Sequence, residues 1–399
     1  MQSSFDTTLI HGGLTTDPRT GAVNTPIFQT STYAQDELGK HKGYEYSRTK
    51  NPTRDGIESL IAECEGGKYG FAFASGMAAL GTILSLFKSG DCLIISQNVY
   101  GGTFRILDKV FNNFGIVYKI VDTRDLDALN AALTSEVKAV LIESPANPLL
   151  SVTPLAKVAQ LCRQKGVLSI VDNTFMTPYL QQPLKLGIDI VVHSATKYLG
   201  GHSDLVAGLV VVDDESLAER IGFLQNSIGG VLAPFDSFLL IRGMKTLGLR
   251  MQRHCENALF LAEALSEHKA VEKVYYPGLK SDSEYEVQSS QARGGGGMLS
   301  FILKPEYDYR IFFKSTRIIV LAESLGGVES LLCHPASMTH ASIPKDLRES
   351  MGIAENLIRL SVGIEYGKDL LEDIHQAIEK SRAQYALILD SSHLLLDSF

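Results

Sequence analysis

From about Gly70 onward, short apolar runs alternate with amphipathic stretches, and this alternation restricts the chain to a small number of folds. The apolar runs are typical of buried strands, and they are Phe71–Ala74, Cys92–Ile95, Ile116–Val121, Ala139–Ile142, Val167–Val171, Ile190–Val192 and Val206–Val212. Between them, apolar residues that recur every three or four positions predict helices at Met77–Phe87, Asp125–Leu133 and Leu155–Gln164. Strands and helices in this order form right-handed crossovers and a mainly parallel sheet with helices on both faces.

The remainder of the chain divides into two further regions. The first fifty residues or so have no sustained period, and we expect an extended arm over residues 1–48. Residues 49–248 then hold the predicted sheet. A long helical pattern begins near Pro234, runs past Leu261 and leads into a smaller α+β domain over residues 249–399. Predicted elements of that domain are the strands Met298–Leu303 and Leu357–Val362 and a helix around Lys368–Lys380.

Composition and charge exclude several classes of protein. Of the 399 residues, 45% are hydrophobic and 21% are charged, as in ordinary globular proteins. The net charge of -8 argues against a nucleic-acid partner, because nucleic-acid binders usually carry a basic face. The cysteines are widely spaced and suit a reducing compartment. The N-terminus has no signal-peptide pattern and no apolar run approaches the ~18 residues that span a bilayer, so we expect a cytoplasmic protein without membrane contact.

Two common phosphate-binding motifs are missing. No Gly-x-Gly-x-x-Gly segment follows a predicted strand, and no Gly-Lys pair is followed by Ser or Thr. A nicotinamide-dependent dehydrogenase and a P-loop nucleotide hydrolase are therefore disfavoured. A metal site is not expected either, since His193 and His202 match no metal-ligand spacing.

Three segments at the carboxyl ends of predicted strands carry the polar residues of a candidate site. Open parallel sheets bind their ligands at this edge. One segment joins a strand to a helix, so that backbone N–H groups at the helix N-terminus face an anion. The residues that the three segments contribute are Gly76 and Met77, then Asp172, then Ser194, Thr196 and Lys197.

Together these residues suit pyridoxal 5′-phosphate (PLP), a ligand with a phosphate, a ring nitrogen and an aldehyde. Its chemistry requires a lysine amine to form an imine and a carboxylate that keeps the ring nitrogen protonated. Lys197 and Asp172 match these needs, and the hydroxyls of Ser194 and Thr196 complete a phosphate site with the helix N-terminus.

Several longer segments make the sequence similar to a known family. From about Thr8 to Ile378 the chain resembles the Cys/Met metabolism family of PLP enzymes, the cystathionine lyase and synthase group. This resemblance implies an α/β, aspartate-aminotransferase-like fold (fold type I), with a mainly parallel central sheet and a smaller α+β C-terminal domain. The matching segments are Tyr44–Arg48 with Asn51–Arg54, Val99–Thr103, Glu143–Pro148, Asp172–Thr174, Ser194–His202, Ala322–Gly327 and Arg359–Gly363.

The resemblance also implies roles at the cofactor. Lys197 is the Schiff-base lysine, Asp172 pairs with the ring nitrogen, and Tyr100 stacks on the ring and is the candidate acid for the leaving group. The implied phosphate ligands are Gly76, Met77, Ser194 and Thr196.

In this family the arm serves a second subunit. Tyr46 and Arg48 reach the cofactor phosphate of the neighbouring subunit, which accounts for a basic arm in an acidic protein. The arm over residues 1–48 would therefore contact that subunit. The expected assembly is a homo-oligomer, a tetramer built from dimers with shared active sites.

The implied substrate is a small amino acid. Arg359 is the family's clamp for the α-carboxylate, with Asn147 and the backbone near Ser324. Glu45 and Glu323 form a carboxylate pair that would meet a distal ammonium group. The resemblance adds two further substrate-binding residues, Arg105 and Thr339.

Several reactions share this machinery. We favour cystathionine γ-lyase, which yields cysteine, 2-oxobutanoate and ammonia, with hydrogen sulfide release from cysteine or homocysteine as a side reaction. Cystathionine γ-synthase is the first alternative and β-lyase the second. Family β-lyases often carry a tryptophan after the serine that corresponds to Ser324, and this chain has no tryptophan. A catalytically silent binding protein would have lost the lysine, aspartate or arginine, and all three are present.

Overall fold

The structure, a computed structural model, describes residues 4–14, 16–339 and 345–396 and contains two β-sheets. The strands of the larger sheet are β1 (Tyr69–Phe73), β2 (Cys92–Ser96), β3 (Val117–Val121), β4 (Val137–Glu143), β5 (Leu168–Asp172), β6 (Ile190–Ser194) and β7 (Gly208–Val212). Those of the smaller sheet are β8 (Val271–Tyr275), β9 (Met298–Leu303), β10 (Val320–Leu321), β11 (Leu331–Cys333) and β12 (Leu357–Ser361).

Helices connect and cover these strands. They are α1 (Phe5–His11), α2 (Pro52–Glu65), α3 (Gly76–Leu84), α4 (Gly101–Lys109), α5 (Leu126–Ala132), α6 (Leu155–Lys165), α7 (Thr177–Leu180), α8 (Glu215–Ile228), α9 (Pro234–Met244), α10 (Leu247–Ser266), α11 (Tyr285–Gln291), α12 (Tyr309–Ser315), α13 (Lys345–Ser350) and α14 (Gly367–Leu396). Two short 3-10 helices lie at Phe111–Phe114 and Pro183–Leu186.

The larger sheet has the order β1-β7-β6-β5-β4-β2-β3. Strands β6, β5, β4, β2 and β3 are mutually parallel, whereas β7 runs antiparallel to both of its neighbours. The predicted mainly parallel sheet is confirmed. Because the parallel strands end at one edge, the carboxyl ends of β4, β5 and β6 lie side by side.

Both faces of this sheet are buried. In β4, Ala139 and Leu141 pack into one apolar cluster, whereas Val140 and Ile142 pack into another on the opposite face. Side chains alternate along a strand, so a strand that is covered on both sides must be apolar at every position. This explains why the central strands appear in the sequence as uninterrupted apolar runs.

The smaller sheet has the order β10-β11-β12-β9-β8. One of its faces packs on α10, α12 and α14 through a cluster that includes Leu261, Phe301, Phe312 and Ile374. Strand β12 places Arg359 on the opposite face of this sheet, where its guanidinium meets Asn147. The two sheets therefore meet at the carboxyl edge of the larger one.

The predicted long helix from Pro234 past Leu261 is wrong as a single element, because it breaks between α9 and α10 at Lys245 and Thr246. At the break, the Gly243 carbonyl accepts hydrogen bonds from Thr246 and from the Arg250 guanidinium. A carbonyl engaged in this way tightens the last turn and ends the α-helical ladder.

The arm differs in part from the expected extended segment. Residues 16–51 contain neither helix nor strand, but helix α1 precedes them and buries Leu9 in the main core. The predicted domain boundaries stay a prediction. Within the described ranges, no helix is long and apolar enough to cross a membrane.

Candidate active site

A cavity of about 320 Å³ lies at the carboxyl edge of the larger sheet, between α3, β5, β6 and β12. Most of the predicted site residues line this cavity. They are Gly76, Met77, Tyr100, Asn147, Asp172, Ser194, Thr196, Lys197, Glu323, Ser324, Thr339 and Arg359. Segments that are more than two hundred residues apart in the chain thus converge on one site.

Helix α3 presents its N-terminus to the cavity. Ser75 caps the helix, and its Oγ accepts a hydrogen bond from the Ala78 amide at 3.0 Å. The Gly76 and Met77 amides are in the first turn of the helix, where no carbonyl of a preceding turn can accept from them. They therefore remain available to bind an anion. A Cβ on Gly76 would lie 2.9 Å from the Ser194 Cβ, so only glycine lets the chain approach the hydroxyl of Ser194 this closely.

Two carboxylates end adjacent strands at the floor of the cavity. Glu143 of β4 lies opposite Asp172 of β5 in the strand register. Burial raises the pKa of Asp172, and burial together with the charge of Asp172 raises the pKa of Glu143 to about 8. Among the described residues, no cationic nitrogen lies within ion-pairing distance of either carboxylate. A cation that binds here would relieve the repulsion between the two groups.

The Lys197 amine lies close to β12 and the loop before β11. Its Nζ donates a hydrogen bond to the Ser324 Oγ at 2.6 Å. Burial, with a smaller effect from the positive Arg359, lowers the pKa of Lys197 to about 8. An amine with such a pKa is partly neutral at physiological pH, which is the form that attacks a carbonyl.

Arg359 projects from β12 with only 2% of its surface exposed. Its Nη1 donates to the Asn147 Oδ1 at 3.1 Å and its Nη2 to the Ser324 carbonyl at 2.9 Å. No carboxylate of the described chain pairs with this guanidinium, and its buried Nε has no hydrogen-bond partner there. A buried, unpaired guanidinium is suited to bind a carboxylate from outside the chain.

Ser324 connects the lysine with the arginine. Its φ of 87° lies in the left-handed region, which costs a non-glycine residue about 1–3 kcal/mol. In this conformation the hydroxyl accepts from Lys197 while the carbonyl accepts from Arg359. The strained backbone therefore serves both groups at once.

Tyr100 immediately precedes α4 and lies at the cavity mouth, with 42% of its surface exposed. Its amide donates to the Glu143 Oε2 at 2.6 Å. The ring lies directly over Gly102, where any Cβ would collide with it. Gly102 therefore allows the ring to lie flat against the start of the helix.

Four predicted site residues do not line the cavity of their own chain. Arg105 is exposed on α4, and Glu45 is exposed and lies 3.7 Å from the His41 Nε2. Tyr46 is about half exposed, and Arg48 donates to the backbone and side chain of Asn226. The roles proposed for Tyr46 and Arg48 involve a neighbouring subunit, so they stay predictions.

The remaining cavity residues were not identified as site residues from the sequence. They are Ser75, Leu80, Thr103, Glu143, Thr174, Phe175, Val192, Val206 and Leu325. Glu143 could have been identified, because it ends a strand next to that of Asp172. The apolar members gave no such signal, since they resemble core residues.

The two histidines near the lysine have structural partners. The His193 Nε2 lies 2.6 Å from the Glu65 Oε1, and both side chains are fully buried on the other face of the sheet. The His202 Nδ1 bonds to the Gly200 carbonyl. In the part of the chain that the structure describes, no cluster of three or more metal-ligating side chains exists.

The cavity fits PLP in chemistry and in space. Gly76 provides a cradle that a Cβ would fill, with two helix amides for a phosphate. The pKa values of Glu143 and Asp172 are both raised, so a cation between them would be stabilising, and a protonated ring nitrogen is such a cation. Lys197 offers a partly neutral amine. Each of the three functional groups of PLP therefore has a matching group here.

Comparisons with known proteins agree with this fit. The sequence matches the family described as "Cys/Met metabolism PLP-dependent enzyme" over residues 6–379. A cystathionine beta-lyase from Lactococcus lactis subsp. cremoris (strain MG1363) is 56% identical over 378 residues, which cover 95% of this chain and 100% of the relative. A cystathionine gamma-lyase from Bacillus subtilis (strain 168) is 53% identical over 373 residues, which cover 94% of this chain and 98% of the relative.

A solved structure extends the similarity to the fold. The crystal structure of cystathionine gamma-lyase from Lactobacillus plantarum complexed with L-serine has a TM-score of 0.94 and 50% identity, and the match covers 95% of this chain and 100% of that chain. The predicted fold type I architecture is confirmed.

Proposed function

Since the chain belongs to the Cys/Met metabolism family of PLP-dependent enzymes, we propose that it is a cystathionine γ-lyase. In this reaction L-cystathionine and water give L-cysteine, 2-oxobutanoate and ammonia, and the bond that breaks joins Cγ to sulfur. Release of hydrogen sulfide from cysteine or homocysteine would be a side reaction at the same site.

The observation that carries this proposal is the opposite charge of two side chains that line the same cavity. Arg359 is buried and positive, whereas Glu323 is exposed and negative, and both line the cavity. A substrate with a carboxylate at one end and an ammonium at the other complements both. Cystathionine has such a distal ammonium, whereas an O-acylhomoserine does not.

Arg359 would bind the substrate α-carboxylate. Its guanidinium offers a planar fork of donors, and Asn147 and the Ser324 carbonyl already fix its orientation. The buried position excludes water, so the charge pairing would be strong there. The α-carbon would thus be held near Lys197.

Lys197 would move the protons. When bound, PLP supplies an aldehyde for the amino group and a sink for the electrons left at Cα. The Lys197 amine, partly neutral and held by Ser324, would remove the proton from Cα and then one from Cβ. Asp172 would face the ring nitrogen and keep it protonated.

Tyr100 would act at the other end of the breaking bond. Its exposed ring lies at the mouth of the cavity, where the departing part of the substrate would lie. The hydroxyl would give a proton to the leaving sulfur. The phosphate would bind the Gly76 and Met77 amides and the hydroxyls of Ser194 and Thr196.

The main alternative is β-elimination from the same substrate, and the 56% identity to a cystathionine beta-lyase favours it. Against it stands the aliphatic Leu325, which follows Ser324 and lines the cavity in a chain without tryptophan. The γ-synthase alternative would need an acylated homoserine, whose neutral or anionic end lacks a partner for Glu323.

The proposal includes an assembly and a compartment. The enzyme would be a tetramer built from dimers, in which Tyr46 and Arg48 complete the neighbouring subunit's phosphate site. It would work in the cytoplasm, consistent with five free cysteines of which four are buried.

The test separates a lyase from a synthase. Purified enzyme is incubated with L-cystathionine alone, and separately with O-acetyl- or O-succinylhomoserine plus cysteine. We expect 2-oxobutanoate from cystathionine, at a rate several times that of cystathionine formation in the second mixture. Faster cystathionine synthesis would show instead that the enzyme is a γ-synthase.

A further inference from the structure

Glu143 differs from the other cavity residues because each of its carboxylate oxygens binds a backbone amide from a different part of the site. Oε2 accepts from the Tyr100 amide at 2.6 Å, and Oε1 accepts from the Asn147 amide at 3.1 Å. We infer that Glu143 is a positioning residue that fixes Tyr100 and Asn147 relative to each other. This inference rests on the proposed function for the roles of those two residues.

On one side, Glu143 anchors the residue that would stack on the cofactor. Tyr100 immediately precedes α4 and has an exposed ring, so few side-chain contacts restrict it. Gly102 leaves space for the ring but has no side chain that could hold it in place. The short hydrogen bond to a carboxylate is therefore the contact that sets where Tyr100 enters the site.

On the other side, Glu143 reaches the proposed carboxylate clamp through one intermediate. Asn147 is buried, and its Oδ1 accepts from the Arg359 Nη1 at 3.1 Å. A shift of the Asn147 backbone would thus move the guanidinium that binds the substrate. Glu143 connects the cofactor side of the cavity with its substrate side.

The position of Glu143 is electrostatically unfavourable, which makes an accidental role a poor explanation. It is 8% exposed and ends β4 directly opposite Asp172. A neutral glutamine of the same size would avoid the repulsion. However, it has a single acceptor oxygen, and its amide nitrogen would face one of the two backbone N–H groups. An ionised Glu143 can accept from both, and a cation bound beside Glu143 and Asp172 would keep it ionised.

Two substitutions separate position from charge. Glu143→Gln keeps the length and loses one acceptor together with the charge. Glu143→Asp keeps the charge but is one methylene shorter, so it cannot reach both amides. The control is Glu136→Gln, because Glu136 precedes the same strand at its opposite end and pairs with Lys119 on the surface.

The measurements are the dissociation constant of PLP from the apoprotein, the KM for cystathionine and the midpoint of thermal unfolding. We expect both Glu143 variants to weaken PLP binding about tenfold and to raise KM about tenfold, as the loss of one charge-assisted hydrogen bond would do. The control should match the wild type in both constants.

Three results would overturn the inference. If Glu143→Asp behaves like the wild type, charge alone matters. If Glu143→Gln does so, the residue has no role in positioning. If both variants unfold at lower temperature with unchanged constants, the role is only structural. A wild type that makes no 2-oxobutanoate would refute the proposed reaction, whereas the PLP dissociation constants would still decide the role of Glu143.

Discussion

At the scale of single residues, the unusual property of Lys197 is an amine that is partly neutral near physiological pH. Its pKa of about 8 results first from burial and second from the positive charge of Arg359. Reaction of Lys197 in the apoprotein with an amine-selective acylating reagent should therefore rise with pH with a midpoint of about 8. Quantitative peptide mapping by mass spectrometry measures this midpoint.

The arginine provides the control for that titration. Arg359→Ala removes the positive charge that is one of the two causes of the lowered Lys197 pKa. The midpoint of the Lys197 reaction should therefore move to higher pH. A wild-type midpoint near the ordinary lysine value of about 10.4 would contradict the proposed state of the amine.

A second prediction concerns Arg359 as the carboxylate clamp. Arg359→Ala should raise the KM for cystathionine about thirtyfold, since a charge-assisted hydrogen bond contributes about 2 kcal/mol. The KM of Arg359→Lys should lie between those of the wild type and Arg359→Ala, because lysine keeps the charge but not the planar fork. Steady-state kinetics at saturating PLP measures both, and an unchanged KM in folded Arg359→Ala would exclude this role.

Residue chemistry was predictable where it followed from position on a strand. Lys197 and Asp172 were identified because strand ends of a parallel sheet share one edge, and both line the cavity. Glu143 was overlooked although it ends a strand too. Arg105 lies outside the cavity lining. The sequence could not reveal this, because packing decides which face of a helix points into a site.

At the scale of elements, the N-terminus of α3 forms the proposed phosphate site, and its cap can be tested. Ser75→Ala removes the bond to the Ala78 amide and should cost about 1 kcal/mol of stability. PLP affinity should fall severalfold as well, because the first turn of α3 would fray and the Gly76 and Met77 amides would no longer be held in place. Denaturant unfolding and PLP titration measure the two effects.

The same helix contains a matched control. The Ser85 Oγ bonds to the Gly81 carbonyl at the opposite end of α3, far from the cavity. Ser85→Ala should leave PLP affinity unchanged. Equal PLP affinity for Ser75→Ala and the wild type would mean that the helix N-terminus does not hold the phosphate.

Long apolar elements were predicted better than short ones. Met298–Leu303 was predicted with the bounds that the structure has, because six consecutive buried residues leave a clear signal. Strands β10 and β11, with two and three residues, are too short to show a period. At the break between α9 and α10, the Arg250 guanidinium reaches back to the Gly243 carbonyl, and a periodic pattern cannot reveal this contact.

At the scale of the whole molecule, the arm raises the question of which subunit it serves. In its own chain Arg48 contacts Asn226 rather than the cavity. If Arg48 serves a neighbour, Arg48→Ala and Lys197→Ala chains, inactive alone, should form active hybrids when refolded or expressed together. Each mixed dimer would then hold one complete site, and the mixture should recover about a quarter of wild-type activity.

The same mixture distinguishes the alternative. If Arg48 serves the site of its own chain, neither type of chain in a hybrid has a complete site. The mixture would then show no more activity than the two variants measured separately.

The central claim is that the enzyme breaks the bond between Cγ and sulfur. The ratio of 2-oxobutanoate to pyruvate, formed from L-cystathionine by the PLP-loaded wild type, tests this claim most directly. Lys197→Ala serves as the blank, and the thiol product is identified in the same sample. We expect 2-oxobutanoate and cysteine in at least tenfold excess; a majority of pyruvate and homocysteine would contradict the account and identify a β-lyase.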